Sequence, residues 1–120
     1  MDFSKIKTVH FIGIGGIGMS AIARMFLLQG KKVSGSDMAE SEVTKALQEL
    51  GADIKVQPFS RPRLNLEGVD LVIYTIAIPQ DHPELVEAKK RGIPTISYPE
   101  ALGIISKDKY TIAIVGTHGK

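Results

Sequence analysis

The spacing of apolar positions divides the chain into short strands alternating with amphipathic helices. Val9, Phe11 and Ile12 form a compact apolar run that predicts a buried strand over about 7–12. Ile22, Met25 and Phe26 then recur at helical spacing, one face of a helix over about 17–29 that Gly30 stops. A second strand is predicted over 32–36. A second helix follows over 41–50, with Ser41 as its N-cap, Gly51 as its stop, and Val43, Ala46, Leu47 and Leu50 on the inward face. Its charges, Glu42, Lys45 and Glu49, read as a solvated face. Asp53–Val56 is a third strand, and residues 57–68, with Pro58, Pro62, Asn65 and Gly68, read as a surface loop. Leu71–Tyr74 is apolar throughout, as a central parallel strand is. The next helix is predicted to be capped by Asp81, with Pro83 in its first turn and Glu84 three residues after the cap. Lys89, Lys90 and Arg91 close it with the sign its dipole favours, and Gly92 ends it. A fifth strand over 93–97 leads to a short helix from Pro99 to about Ser106, with Leu102 and Ile105 inward. Lys107–Lys109 is a polar joint, and Tyr110–Val115 reads as one more strand.

This alternation predicts an α/β fold: a Rossmann-like, doubly wound parallel sheet of about five strands, order 3-2-1-4-5, with helices on both faces. In that order the first and fourth strands are neighbours at the switch point, and a ligand binds beyond their carboxyl ends. Three loops distant in sequence should therefore meet there: 13–18, 36–37 and 75–79.

Composition narrows the picture only a little. At 120 residues the chain can bury a real core. A net charge of +2, evenly spread, argues against nucleic-acid or membrane partners. With no cysteine there is neither a disulfide framework nor thiol chemistry. No apolar run is long enough to span a bilayer and the N-terminus lacks a signal pattern, so the expectation is a cytoplasmic protein.

The candidate chemistry begins at Gly13-Ile14-Gly15-Gly16-Ile17-Gly18, which joins the first strand to the first helix. A strand, this glycine spacing and a helix make a phosphate cradle. Gly13 allows the turn, Gly15 lets backbone approach a pyrophosphate, and Gly18 lets the helix pack close to the strand. Gly16 is not required by the pattern. The first amides of the helix have no internal partner and face the ligand. Met19 lies in the first helical turn, where core packing is the plainer reading. Ser36 and Asp37 end the second strand, Asp37 standing 19 residues after Gly18, where such a fold places the acid that accepts from a ribose diol. Asp37 could instead be a turn or cap residue, and any nucleotide ribose would suit it. Thr75, Ala77, Ile78 and Pro79 complete the expected site from the fourth strand. Arg61 and Arg63 could touch phosphate but read more simply as solvated, and His82 reads as a cap-region residue.

At the far end, the strand 110–115 runs into Gly116-Thr117-His118-Gly119-Lys120, which resembles the start of a P-loop, the ATP-phosphate loop. It departs from the general pattern, with Ile114 where a glycine is asked for and no Ser or Thr after Lys120. Together with His10–Ser20, Ser34–Asp37 and Ala77–Pro79, this loop resembles the N-terminal part of the Mur ligases of bacterial cell-wall synthesis. The resemblance covers the whole chain in order. One departure is Gln57-Pro58-Phe59, where that family often carries a Gly-His pair.

The resemblance implies a first domain, 1–109, that holds the UDP end of UDP-N-acetylmuramate. It implies that 110–120 is the opening strand and truncated phosphate loop of a central ATP-binding domain. The complete enzyme would use ATP and Mg²⁺ to phosphorylate a carboxylate, which the amine of L-alanine then attacks. Lys120 would neutralise ATP phosphate charge. No catalytic residue and no metal ligand is expected within these residues, which alone should be monomeric and inactive. Two other readings share part of the pattern. An NAD(P)-binding oxidoreductase domain explains the glycines and Asp37 but not 116–120. A nucleotide-sensing module without an enzyme is the other.

Overall fold

The computed structural model describes residues 1–57 and 66–107. The sheet that organises them is wholly parallel, with strands β1 (Thr8–Ile12), β2 (Lys32–Asp37), β3 (Asp53–Val56), β4 (Leu71–Tyr74) and β5 (Thr95–Ser97) in the order β3-β2-β1-β4-β5. The helices are α1 (Ile17–Leu28), α2 (Glu42–Glu49), α3 (Pro83–Lys90) and α4 (Tyr98–Lys107). The fold class and strand order expected from the sequence are those observed. β5 is shorter than expected, beginning at Thr95.

Two apolar layers sandwich the sheet. On one face Val9, Phe11, Leu71 and Ile73 pack with Met19, Ile22, Ala23 and Phe26 of α1, Leu47 of α2, and Ala101 and Ile105 of α4. On the other, Ile12 and Val72 pack with Leu66 and with Leu85 and Ala88 of α3. The alternation of strand side chains assigns neighbours on β1 to opposite layers. Phe26 meets Phe3 edge-on at 5.4 Å between ring centroids. Lys31 lays its ammonium over the Phe26 ring and donates to the Phe3 and Ile6 carbonyls at 2.8 and 2.7 Å, so the N-terminal turn is tied to the core. The start of β1 is held by Asp70, whose carboxylate accepts from the Lys7 and Thr8 amides.

Three local expectations are corrected. The cap of α3 is His82, not Asp81: its Nδ1 accepts from the Glu84 amide at 3.1 Å, with Pro83 following. The inward face of α2 is rotated, with Thr44 and Leu47 buried while Val43 and Leu50 are exposed. Ser41 is the N-cap as expected, and Thr44 completes a capping box with it, which draws the threonine inward. In α4, Ala101 is buried with Ile105 and Leu102 is exposed. That helix is capped by a reciprocal Ser97–Glu100 pair. Most of the 57–68 loop, with Arg61 and Arg63, lies outside the described residues, as do the strand 110–115 and the loop 116–120.

Candidate functional site

The carboxyl ends of β1, β2 and β4 open into a cleft of about 590 Å³, within the usual range for a small-molecule site. Its wall includes Gly13, Gly15, Gly16, Ser36, Asp37, Thr75, Ala77, Ile78 and Pro79. The three loops expected to meet do so, because a parallel sheet sets all its strand ends on one edge.

The glycine loop is built as follows. Gly13 has φ +86°, a conformation that favours glycine, and a Cβ there would lie 2.5 Å from Thr75 Cγ2. The Ser36 carbonyl accepts from both the Gly13 and Ile14 amides, at 2.9 and 3.0 Å, which pins the loop to β2. Gly16 is the N-cap of α1 and makes no side-chain cap, so the first amides of the helix are left without a capping side chain. This is the geometry of an anion site, with the helix dipole adding partial positive charge.

Four residues named with this loop from sequence lie elsewhere than in the cleft wall. Ile14 and Met19 are buried in the core, and their side chains serve packing. Ile17 is 90% exposed at the start of α1. At Gly18 the nearest neighbour is on another helix. The space a Cβ would take is filled by the ring of Tyr98, so the close approach is between α1 and α4. What Ile17, Gly18 and Met19 can offer is main-chain amide, whereas that of Ile14 is already given to the Ser36 carbonyl.

Asp37 accepts from the Gly15 amide through Oδ2 at 2.7 Å, and from Met38 and Ala39 through Oδ1 at 2.8 and 3.4 Å. A carboxylate has about four acceptor positions, so these three bonds leave one for a ligand hydroxyl. A Cβ on Gly15 would lie 2.7 Å from Asp37 Oδ2. The close approach that Gly15 permits is, in this structure, to the protein's own anion.

Sequence reading placed Ser36 in the cleft but missed the polar groups beneath it. Glu84, 2% exposed, lines the cleft floor together with His82. Glu84 Oε1 lies 2.7 Å from His10 Nε2, and Oε2 accepts from the Ser36 hydroxyl at 2.7 Å. His10 Nδ1 lies 2.8 Å from the Ser34 hydroxyl. Since a carboxylate only accepts, His10 donates from Nε2. Burial holds the His82 imidazole below its ordinary value of 6.5 despite the opposing charges of Glu84 and Asp81, with His10 adding to the depression. The available signal was His10 itself, a polar residue within an apolar strand that must find a buried partner. Met38, Ala39, Ser41 and Gln57 also join the wall. Among the described residues, no cluster of His, Cys, Asp or Glu could hold a metal ion, and no helix is long and apolar enough to cross a membrane.

The chain is similar to known proteins. The chain is 49% identical over 118 residues to a UDP-N-acetylmuramate–L-alanine ligase of Geobacter sulfurreducens, covering 98% of this chain and 25% of that protein. It is 52% identical over 115 residues to a protein of the same name in Clostridium novyi, covering 95% and 24%. Among solved structures, the UDP-N-acetylmuramate-alanine ligase of Thermotoga maritima superposes with TM-score 0.76 at 39% identity, over 85% of this chain and 23% of that one. A UDP-N-acetylmuramate:L-alanyl-gamma-D-glutamyl-meso-diaminopimelate ligase of Neisseria meningitides gives 0.67 at 29%, over 81% and 30%. The chain thus spans about a quarter of the length of the relatives it matches. Residues 8–110 match the Mur ligase family, catalytic domain, and the chain belongs to the Mur ligase family.

Proposed function

We propose that this chain is the substrate-binding N-terminal domain of a UDP-N-acetylmuramate–L-alanine ligase, and that its cleft holds the UDP end of that substrate. The observation that carries the reading is the cleft itself: the open N-terminus of α1 behind Gly13–Gly16, facing Asp37 and the Thr75–Pro79 loop. The relatives' names supply the substrate and reaction. Residues 1–109 form the substrate domain, and 110–120 begin a central ATP-binding domain.

In the whole enzyme, ATP with Mg²⁺ activates the muramoyl carboxylate as an acyl phosphate, and the amine of L-alanine displaces phosphate. Gly116, Thr117, His118, Gly119 and Lys120, which the family resemblance assigns to ATP, lie outside the described residues. The part of this chain in that reaction is to bind and orient the nucleotide. It acts in the cytoplasm, and these residues alone are monomeric and without ligase activity.

A helix N-terminus contributes only about 0.3–2 kcal/mol toward an anion, whereas a micromolar site needs about 8 kcal/mol. UDP alone therefore binds weakly, with the balance supplied by base, ribose and sugar contacts. An amide NMR titration tests the assignment. UDP shifts Gly15, Gly16, Ile17 and Gly18 most, and NAD does not. An equal or stronger response to NAD would favour the oxidoreductase reading instead.

A further inference from the structure

One side chain both caps α3 and lines the cleft. His82 Nδ1 accepts from the Glu84 amide at 3.1 Å, and His82 is buried in the cleft wall. Because Nδ1 accepts, the ring is neutral and carries its proton on Nε2. The His82 amide donates to the Pro79 carbonyl at 3.1 Å, and its carbonyl accepts from the Val86 amide at 2.9 Å. His82 therefore joins the first turn of α3 to the Thr75–Pro79 wall. At the other end of that wall the Thr75 amide donates to the Ile12 carbonyl of β1 at 3.1 Å. Between these two anchors the turn's own bonds are long, 3.4 Å from the Ile78 amide to the Thr75 carbonyl and 3.4 Å from the Ala77 amide to the Thr75 hydroxyl.

Charged groups approach the imidazole from several elements. Glu84 Oε2 of α3 lies 4.0 Å from Nε2. Asp81 precedes the ring in the chain, and His10 acts on it from β1. Asp37 of β2 lines the same cleft, and Lys55 of β3 borders Glu84. The segment Thr75–Gln80 contributes no titratable side chain. Burial, aided by His10, outweighs the two acids and holds the ring below its ordinary 6.5.

We infer that His82 is a pH-sensitive latch: neutral, it ties the Thr75–Pro79 wall to α3, and protonated, it lets the wall go. An imidazolium has two N–H donors and no acceptor, so no rotation of the ring restores the cap. The charged ring is drawn to Glu84, whose Oε2 already accepts from the Ser36 hydroxyl, and the first turn of α3 must rearrange. The change reaches Ala77, Ile78 and Pro79, and with them the shape of the cleft. The latch is closed at neutral pH and opens in acid. It depends on no ligand, and so stands or falls separately from the nucleotide reading.

An NMR titration of the full chain from about pH 8 to about pH 5 tests the inference. The His82 ring and the Glu84, Ala77 and Ile78 amides share one midpoint, below 6.5. Protection of the Glu84 amide against hydrogen exchange, relative to the unstructured rate at each pH, falls about tenfold across that midpoint, the worth of one hydrogen bond. In His82→Asn, which keeps a cap acceptor and cannot titrate, the Ala77 and Ile78 amides do not move over the same range. A His82 ring that titrates while those amides stay still overturns the inference. So do amides that follow the His10 ring instead, an equal response in His82→Asn, or a His82 ring that stays neutral until the chain unfolds. Should His82→Asn fail to fold, the midpoints in the parent chain decide by themselves.

Discussion

The Gly15 amide donates to the Asp37 carboxylate at 2.7 Å, so the glycine loop is braced by an anion that the protein itself supplies. Asp37 also holds the turn after β2 through Met38. Hydrogen bonds to a charged group contribute about 1.5–3 kcal/mol, and partial exposure of Asp37 places this case at the lower end. Asp37→Ala is expected to cost about 1–2 kcal/mol in urea denaturation and to weaken UDP. A variant with unchanged stability would show that the brace is idle.

Adjacent glycines in the loop should respond very differently to a methyl group. At Gly15 a Cβ would lie 2.7 Å from Asp37 Oδ2, whereas at Gly16 the nearest atom would be 3.7 Å away. Gly15→Ala must displace the carboxylate and lose most UDP affinity. Gly16→Ala should fold normally, within about 1 kcal/mol of the parent, since alanine is only a poorer N-cap than glycine. Thermal melts and UDP titrations of the pair check the contrast.

Tyr98 and Gly18 form a separate steric pair. A methyl on Gly18 would overlap the Tyr98 ring, and overpacking of this kind costs about 1–3 kcal/mol. Gly18→Ala is expected to destabilise by that amount. Combined with Tyr98→Leu, it should cost less than the sum of the two single changes. Strict additivity would place the clash elsewhere.

His82 predicts a pH dependence of stability. Its folded-state value is lowered from 6.5, mainly by burial, and its Nδ1 is occupied as the cap acceptor for Glu84. As pH falls below 6.5 the unfolded chain takes up a proton that the folded one refuses, so stability declines until the folded imidazole also titrates, and it is fully present above that window. The urea midpoint should fall on acidification from pH 7, with a shallower slope in His82→Asn, which retains a cap acceptor but does not titrate. An identical slope in both proteins would assign the acid sensitivity to other groups.

The aromatic pair Phe3–Phe26 should dominate the larger apolar layer. Phe26 is fully buried and touches Phe3 and Phe11. Phe26→Ala is expected to cost about 3–5 kcal/mol, read as a lowered denaturation midpoint.

The amino-acid sequence by itself determined the elements of the described residues, the parallel sheet and the place where its loops converge. The reason is that these rest on local periodicity and on chirality: the run at Val9–Ile12, the helical spacing of Ile22 and Phe26, and the right-handed crossover. It also identified Gly13 as the residue that allows the turn, where the structure has φ +86°. The tertiary structure decided which polar groups face one another. Glu84 looked like part of a helix cap and is the floor of the cleft. His82 took the cap from Asp81, Thr44 turned inward in place of Val43, and the nearest neighbour of Gly18 proved to be Tyr98. The pairs that settle the role of Glu84 join residues 24, 48 and 74 positions apart, Ser34 to His10, Ser36 to Glu84, and His10 to Glu84. Local spacing governs which face of an element can be buried. Whether a polar side chain can be buried on that face depends on a partner brought from elsewhere in the chain, and only the assembled sheet and helices supply it.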